Sequence, residues 1–214
     1  MLNRCFVVHC RHLPLVSWLV VVVLGMGVFP VSAGVSQDQG QSAIVGEASL
    51  VIGTARVVSV AGKVVPAEKG MAIRVGDYVE TGVGGHVHLR FVDGARVSVR
   101  PVSRLQIESY AHSSDKPAQS AIKFRLEEGT VRSITGSWGE AARDRFRLNT
   151  PMAAIGVKGT DFVVQSSPES TLVSVYSGAV LMAPLVGVCQ ATLGPCLNGG
   201  EKMLSEDMKG QVLE

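Results

Sequence analysis

From about residue 50 onward the chain alternates apolar and polar residues in short runs punctuated by glycine, and this pattern constrains the fold more than any other feature. Successive side chains of a strand point to opposite faces, so period-two alternation means half-buried strands. One unit recurs four times: "VSVAGKV" at 58–64, "RFVDGARV" at 90–97, "RLEEGTVR" at 125–132 and "VSVYSGAV" at 173–180. Each reads as a strand, a turn around Gly62, Gly94, Gly129 or Gly178, and a second strand. Glycine supplies the positive φ that tight hairpin turns require, so each unit is expected to be a β-hairpin. The irregular spacing does not define a propeller or a long solenoid. Helical signal is confined to "GSWGEAARDRF" at 136–146. The expected fold is all-β with little helix: stacked β-hairpins whose valine faces meet, in a twisted antiparallel sandwich or a short solenoid-like domain.

The first residues read as a targeting segment. Arg4 and Arg11 form a basic head, Leu13 to Phe29 is an uncharged apolar run, and Val31-Ser32-Ala33 is a small-x-small cleavage site before Gly34. This is the pattern of a secretory signal peptide cut between Ala33 and Gly34. A retained N-terminal anchor is the second reading, because about 17 apolar residues nearly reach membrane-spanning length. No Leu-x-x-Cys lipobox precedes the site. Either way the protein is expected in the periplasm or outside the cell, touching membrane only through an uncleaved leader. The full chain has 20 Lys+Arg against 18 Asp+Glu, and both leader arginines leave with it, so the mature chain holds 18 of each. Such a balance gives no nucleic-acid signal.

Two cysteines remain after the leader, Cys189 and Cys196 in "GVCQATLGPCLNGG". In an oxidising compartment they are expected to form a disulfide closing a small loop, with free thiols as the other reading. The expected organisation is a signal peptide at 1–33, a flexible Gly/Gln/Ser-rich lead-in at 34–49, a β domain at 50–184, and an extension at 185–214 whose bridge leaves the core unaffected.

Chemistry finds little purchase. His86 and His88 in "GGHVHLRF" share one strand face, but no third ligand follows in a second motif. Val87, Leu89 and Phe91 are expected inside, with His86, His88 and Arg90 facing water. Neither a G-x-S-x-G elbow nor an Asp-Thr-Gly occurs, and the order at Gly159-Thr160-Asp161 is the reverse of the latter. "TPMAAIGVKGTDFVV" at 150–164 offers glycines and a lysine, yet a phosphate loop must open a helix, and a strand-like run follows Gly159. The stretch reads as a corner: Pro151 holds Thr150 extended, Gly156 and Gly159 permit a sharp bend, and Lys158 and Asp161 are solvent-facing charges. No catalytic residue, cofactor or metal is expected, and the protein is expected not to be an enzyme.

At the level of ordered motifs, "RVGDYVETGVGGHVHLRFVDGARVSVRPVSRLQI", "FRLEEGTVRS", "FRLNTPMAAIGVKGTDFVV" and "VSVYSGAVLM" together resemble the FecR-like periplasmic domain across residues 54–183. Gly76, Asp77, Thr81, Gly82, Phe91, Asp93 and Gly94 look like the first half of that family. Leu126, Gly129, Thr150, Pro151, Ala154, Gly159 and Thr160 look like the second. The resemblance implies an all-β domain outside the inner membrane, without catalytic residues. In founding members it senses an outer-membrane TonB-dependent transporter and controls a sigma factor through a cytoplasmic segment. No such segment is seen here, so a free-standing exported module that binds another envelope protein is expected. Two alternatives remain: a carbohydrate- or peptidoglycan-binding module, with Trp138, Tyr78, Tyr110 and Tyr176 as its aromatic candidates, and a regulator anchored by an uncleaved leader.

Overall fold

A computed structural model describes residues 42–116, 119–190, 192–197, 199–208 and 212. The expected signal peptide and its Ala33–Gly34 cleavage site lie outside the described residues, as does the lead-in up to residue 41. Among the described residues fifteen strands follow in order: β1 (Ile44–Ile52), β2 (Ala55–Val58), β3 (Val64–Pro66), β4 (Ala72–Arg74), β5 (Tyr78–Thr81), β6 (His86–Phe91), β7 (Arg96–Val99), β8 (Ser103–Ala111), β9 (Ala121–Ile134), β10 (Phe146–Asn149), β11 (Ala153–Val157), β12 (Asp161–Ser166), β13 (Thr171–Ser177), β14 (Ala179–Pro184) and β15 (Lys202–Ser205). A single helical turn, α1 (Ser137–Ala141), and 3₁₀ turns at Arg143–Arg145 and Gly187–Gln190 complete the elements. Among the described residues no helix is long and apolar enough to cross a membrane.

The strands form two faces joined through β9. The first sheet runs β4-β1-β6-β7-β9-β12-β13, using β9 from Gly129 to Ile134. The second runs β3-β2-β5-β8-β9-β10-β11-β14-β15, using β9 up to Glu128. All pairs are antiparallel except β9–β10. Parallel neighbours need a crossover, and the segment holding α1 supplies it. Buried side chains of both sheets form one cluster. An aromatic chain crosses it: Phe91 stacks on Tyr110 at 4.4 Å, and Phe124, Phe146 and Phe162 continue at ring separations of 6.0 and 6.3 Å. The all-β expectation holds.

Two of the four expected hairpins are something else. Gly62 and Gly94 do turn β2 into β3 and β6 into β7. Gly129 instead lies within the continuous strand β9, at φ 90°, where that strand passes from the second sheet to the first. Gly178 separates β13 of the first sheet from β14 of the second, which do not pair with each other. Both glycines have the positive φ that the sequence demanded; a change of sheet requires it as much as a hairpin does. Gly159, at φ 65°, makes the same kind of crossing between β11 and β12.

The lead-in expected to extend to residue 49 ends earlier, because β1 begins at Ile44 and pairs with both β4 and β6. Its register shifts between Ala48 and Leu50, so Val45 and Ala48 are both buried and no simple alternation is visible. The C-terminal extension is likewise part of the fold. Strand β15 pairs with β14, and the Cys189–Cys196 bridge packs on Ala154 and Ala183. That loop covers the outer face of the second sheet, which is why every residue of β10 and β11 is buried.

Candidate functional site

The motif residues of the sequence each hold a corner rather than converge on a cleft. Asp77 follows Gly76 (φ 90°) and its Oδ2 accepts the Arg74 amide at 2.9 Å. Burial pushes the Asp77 carboxyl above its ordinary range, outweighing the hydrogen bond and the charge of Arg74. The Thr81 hydroxyl donates to the Arg100 carbonyl at 2.5 Å and accepts the Ser103 amide at 3.0 Å, bracketing the β7–β8 crossing. The Gly82 amide donates to the Thr54 carbonyl at 2.8 Å.

Asp93 does most. Its Oδ1 accepts the amide of Ala95 at 3.1 Å and the Tyr110 hydroxyl at 2.5 Å, while Oδ2 accepts the Trp138 amide at 3.2 Å. One turn carboxylate thus ties the β6–β7 hairpin to β8 and to α1. Burial first, then the bond to Asp93, raises the Tyr110 pKa far above that of a free phenol.

The 150–164 stretch is built the same way. The Thr150 hydroxyl accepts the Ala153 amide at 2.9 Å and shares a 2.7 Å bond with the Thr171 hydroxyl, closing the turn that exposes Pro151. The Thr160 amide donates to Thr135 Oγ1 at 3.1 Å and its carbonyl accepts the Thr135 amide at 2.9 Å. Lys158 is exposed as expected, but Asp161 is not a simple surface charge: both its oxygens receive Arg132, at 2.8 and 2.6 Å.

His86 and His88 stack with ring centroids 4.7 Å apart on β6, above buried Val87, Leu89 and Phe91. Among the described residues no group of three or more His, Cys, Asp or Glu side chains is placed to hold a metal. Burial, then the charges of His88 and Arg100, hold the His86 pKa below the usual histidine value.

Sequence reasoning missed Arg147. Period two places it opposite Phe146 and Leu148, hence toward water, yet it is fully buried beneath the disulfide loop. Its guanidinium donates to the carbonyls of Gly194 at 2.5 Å and Cys189 at 3.3 Å and to Thr192 Oγ1 at 3.4 Å. Desolvation lowers its pKa. The remaining signal was the cysteine pair downstream, which does not say what the loop covers.

Two of the shallow depressions on the surface border the second sheet. One, of about 310 Å³, is lined by Met152, Met182, Ala183 and Pro184, with Glu169 and Lys202 at its rim. The other, of about 400 Å³, lies on the second sheet beside an ion-pair ladder. There Glu80 receives Arg56 at 2.5 Å and Arg104 at 3.0 Å, and Arg104 reaches Glu127 at 3.1 Å.

The sequence model of the FecR protein family matches residues 77–181. No curated protein matches the chain. Among solved structures the chain is similar to a "Cell surface anchoring domain", at 30% identity and a TM-score of 0.29, over 29% of this chain and 83% of that one. It is also similar to two crystal structures of a candidate anti-sigma factor from Parabacteroides distasonis ATCC 8503, each at 18% identity over 64% of this chain, with TM-scores of 0.43 and 0.41. The chain spans 57% of the length of those two. Over residues 77–181 the protein belongs to the FecR protein family.

Proposed function

We propose that this protein is an exported, non-catalytic module of the cell envelope that works by binding another protein, in a sensory or regulatory role. The observation that carries the reading is the use of the family's reactive-looking side chains. The side chains of Asp77, Asp93, Thr81 and Thr150 hydrogen-bond to backbone amides or carbonyls at corners, and the backbone of Thr160 is held by the Thr135 hydroxyl. Groups so engaged are poor acids, bases or nucleophiles, because catalysis would break the bonds that hold the turn. What the fold presents outward is sheet faces and edge strands, the surfaces through which β proteins bind partners. Export is supported by the leader pattern ending at Ala33. The carbohydrate-binding alternative loses its tryptophan: Trp138 packs between Tyr110 and His112 rather than standing as an exposed platform.

Crosslinking in intact cells, followed by purification of the exported chain, tests this reading. Recovery of a discrete envelope protein, with the recovered chain beginning at Gly34, is the expected result. Recovery of glycan and no protein would contradict it, and a mass that retains the leader would identify an anchored regulator instead.

A further inference from the structure

The outer faces of the two sheets treat charge differently. On the second sheet Arg56, Arg104, Lys123 and Arg125 are each paired with Glu80, Glu108 or Glu127, in two groups of ion pairs. The first sheet has no such balance. Cross-strand register places Glu47, Arg90, Arg96 and Ile134 in one row, and Leu50, His88, Ser98 and Arg132 in the next. One step further His86 faces Ile52, and Arg100, just past the end of β7, is near enough for its charge to act on His86.

From β1 across to β12, four guanidiniums therefore share this face with two carboxylates, and both carboxylates are already taken. Glu47 holds Arg90 at 2.6 Å and Asp161 holds Arg132 at 2.6 Å. Arg96 and Arg100 are exposed and, among the described residues, make no ion pair. Arg96 stands directly opposite Arg90 in the ladder, a like-charge juxtaposition that weakens a sheet unless an outside anion offsets it. Between Arg96 and Arg100 in sequence is the small, half-buried Ser98. At one border Leu50 and Ile52 are 40% and 53% exposed, and at the other Tyr176 is 64% exposed beside Arg132. Arginine and tyrosine around an apolar fringe is the composition of a protein interface.

We propose that the outer face of the first sheet, centred on Arg96, Ser98 and Arg100, is the docking surface for an acidic, partly apolar segment of a protein partner. The inference rests on the protein-interaction reading above and locates its site. Carboxylates of the partner complete the ion pairs that Arg96 and Arg100 lack, and its apolar residues cover Leu50 and Ile52. The opposite sheet, with its charges mutually satisfied, offers an acidic segment no such vacancy.

The test uses the full exported chain with the photo-crosslinking residue p-benzoylphenylalanine at Ser98, at Gln106 on the opposite face, or at Val64 on edge strand β3. The expected result is an adduct at Ser98 only, joined to an Asp/Glu-rich peptide and reduced at least tenfold by Arg96→Ser/Arg100→Ser. Lys63→Ser/Lys69→Ser removes the same charge elsewhere and is expected to leave the adduct unchanged. In parallel, a fluorescent ten-residue glutamate peptide is expected to bind the purified protein saturably, to weaken with added salt, and to lose tenfold in affinity in the Arg96/Arg100 variant. Binding of dextran sulfate without the glutamate peptide would overturn the protein-partner assignment in favour of an anionic glycan. Adducts at Gln106 or Val64 but not Ser98 would overturn this face while leaving the binding-module reading intact. Protein adducts at none of the three would remove both.

Discussion

Arg147 and Gly194, 47 residues apart, are joined by a 2.5 Å hydrogen bond from the buried Nε to the carbonyl oxygen. Through this bond and those to Cys189 and Thr192 the C-terminal loop is anchored to the second sheet. Pro195 meanwhile lies so close to β11 that a Cβ on Gly156 would stand 2.8 Å from its Cα.

Arg147→Met keeps the bulk but removes the donors, so two or three buried oxygens lose their partner, at about 1–3 kcal/mol each before relaxation. A stability loss of roughly 2–4 kcal/mol is expected in denaturant melts. Cys189→Ser/Cys196→Ser is expected to cost about 2–3 kcal/mol through the freed loop. Combined with Arg147→Met it should cost less than the sum, because both changes release the same loop. Additive effects would contradict a shared role.

At the crossings, backbone conformation and crowding can be separated. Gly159 needs its φ of 65°, but an added Cβ would meet nothing closer than Arg143 Nη2 at 3.7 Å. Gly159→Ala is therefore expected to cost about 1–2 kcal/mol, the strain of the left-handed region alone. At Gly129 the same change also drives a Cβ into the backbone of Val102 and Ser103, so it should cost clearly more. Val102 itself has φ 52° while 55% exposed. Val102→Gly is expected to stabilise by about 1 kcal/mol by relieving that strain. Equal melts for the two glycine variants would refute this ranking.

Asp161→Ala and Lys158→Ala are expected to diverge. Asp161 receives Arg132 through two bonds in a half-buried setting, a geometry that contributes about 1 kcal/mol. Lys158 makes no comparable contact, and its removal should change stability by less than about 0.5 kcal/mol.

Stability should also depend on His86. Its neighbours are His88 on its own strand, Arg100 just past the end of β7 and Ile52 from β1, none of which welcomes a second positive charge. A lowered folded pKa means the unfolded chain takes up a proton that the folded chain resists. Stability is then full above the ordinary histidine pKa and is lost as pH falls toward the folded value. The melting temperature is expected to drop between about pH 7.5 and about pH 5.5, and to drop less in His86→Gln. An unchanged pH slope in that variant would show that His86 is not the group responsible.

The alternation of "HVHLRF" and "KFRL" made the strands and their buried faces legible, because a sheet with one face in the core writes itself as period two. Positive-φ glycines were equally legible as breaks. What they break into was not, since Gly94 and Gly178 look alike in sequence while one reverses a strand and the other sends the chain to the opposite sheet. Strand β1 escaped notice because its bulge disrupts the period. Arg147 escaped because it faces the outside of its own sheet, and only the tertiary position of the Cys189–Cys196 loop turns that outside into an interior. The unpaired Arg96 and Arg100 needed cross-strand register, which local sequence does not carry.

The central claim is that the polar residues of the family-like motifs build corners while a sheet face does the binding. Asp93 tests it most directly, since it joins three elements through one carboxylate. In Asp93→Ala the melting temperature and the capture of the crosslinked partner are measured together, with capture performed well below the variant's own melt. The account predicts a loss of roughly 2–4 kcal/mol in stability with capture unchanged. A melt like that of the parent protein with capture abolished would make Asp93 part of a binding site and contradict the account.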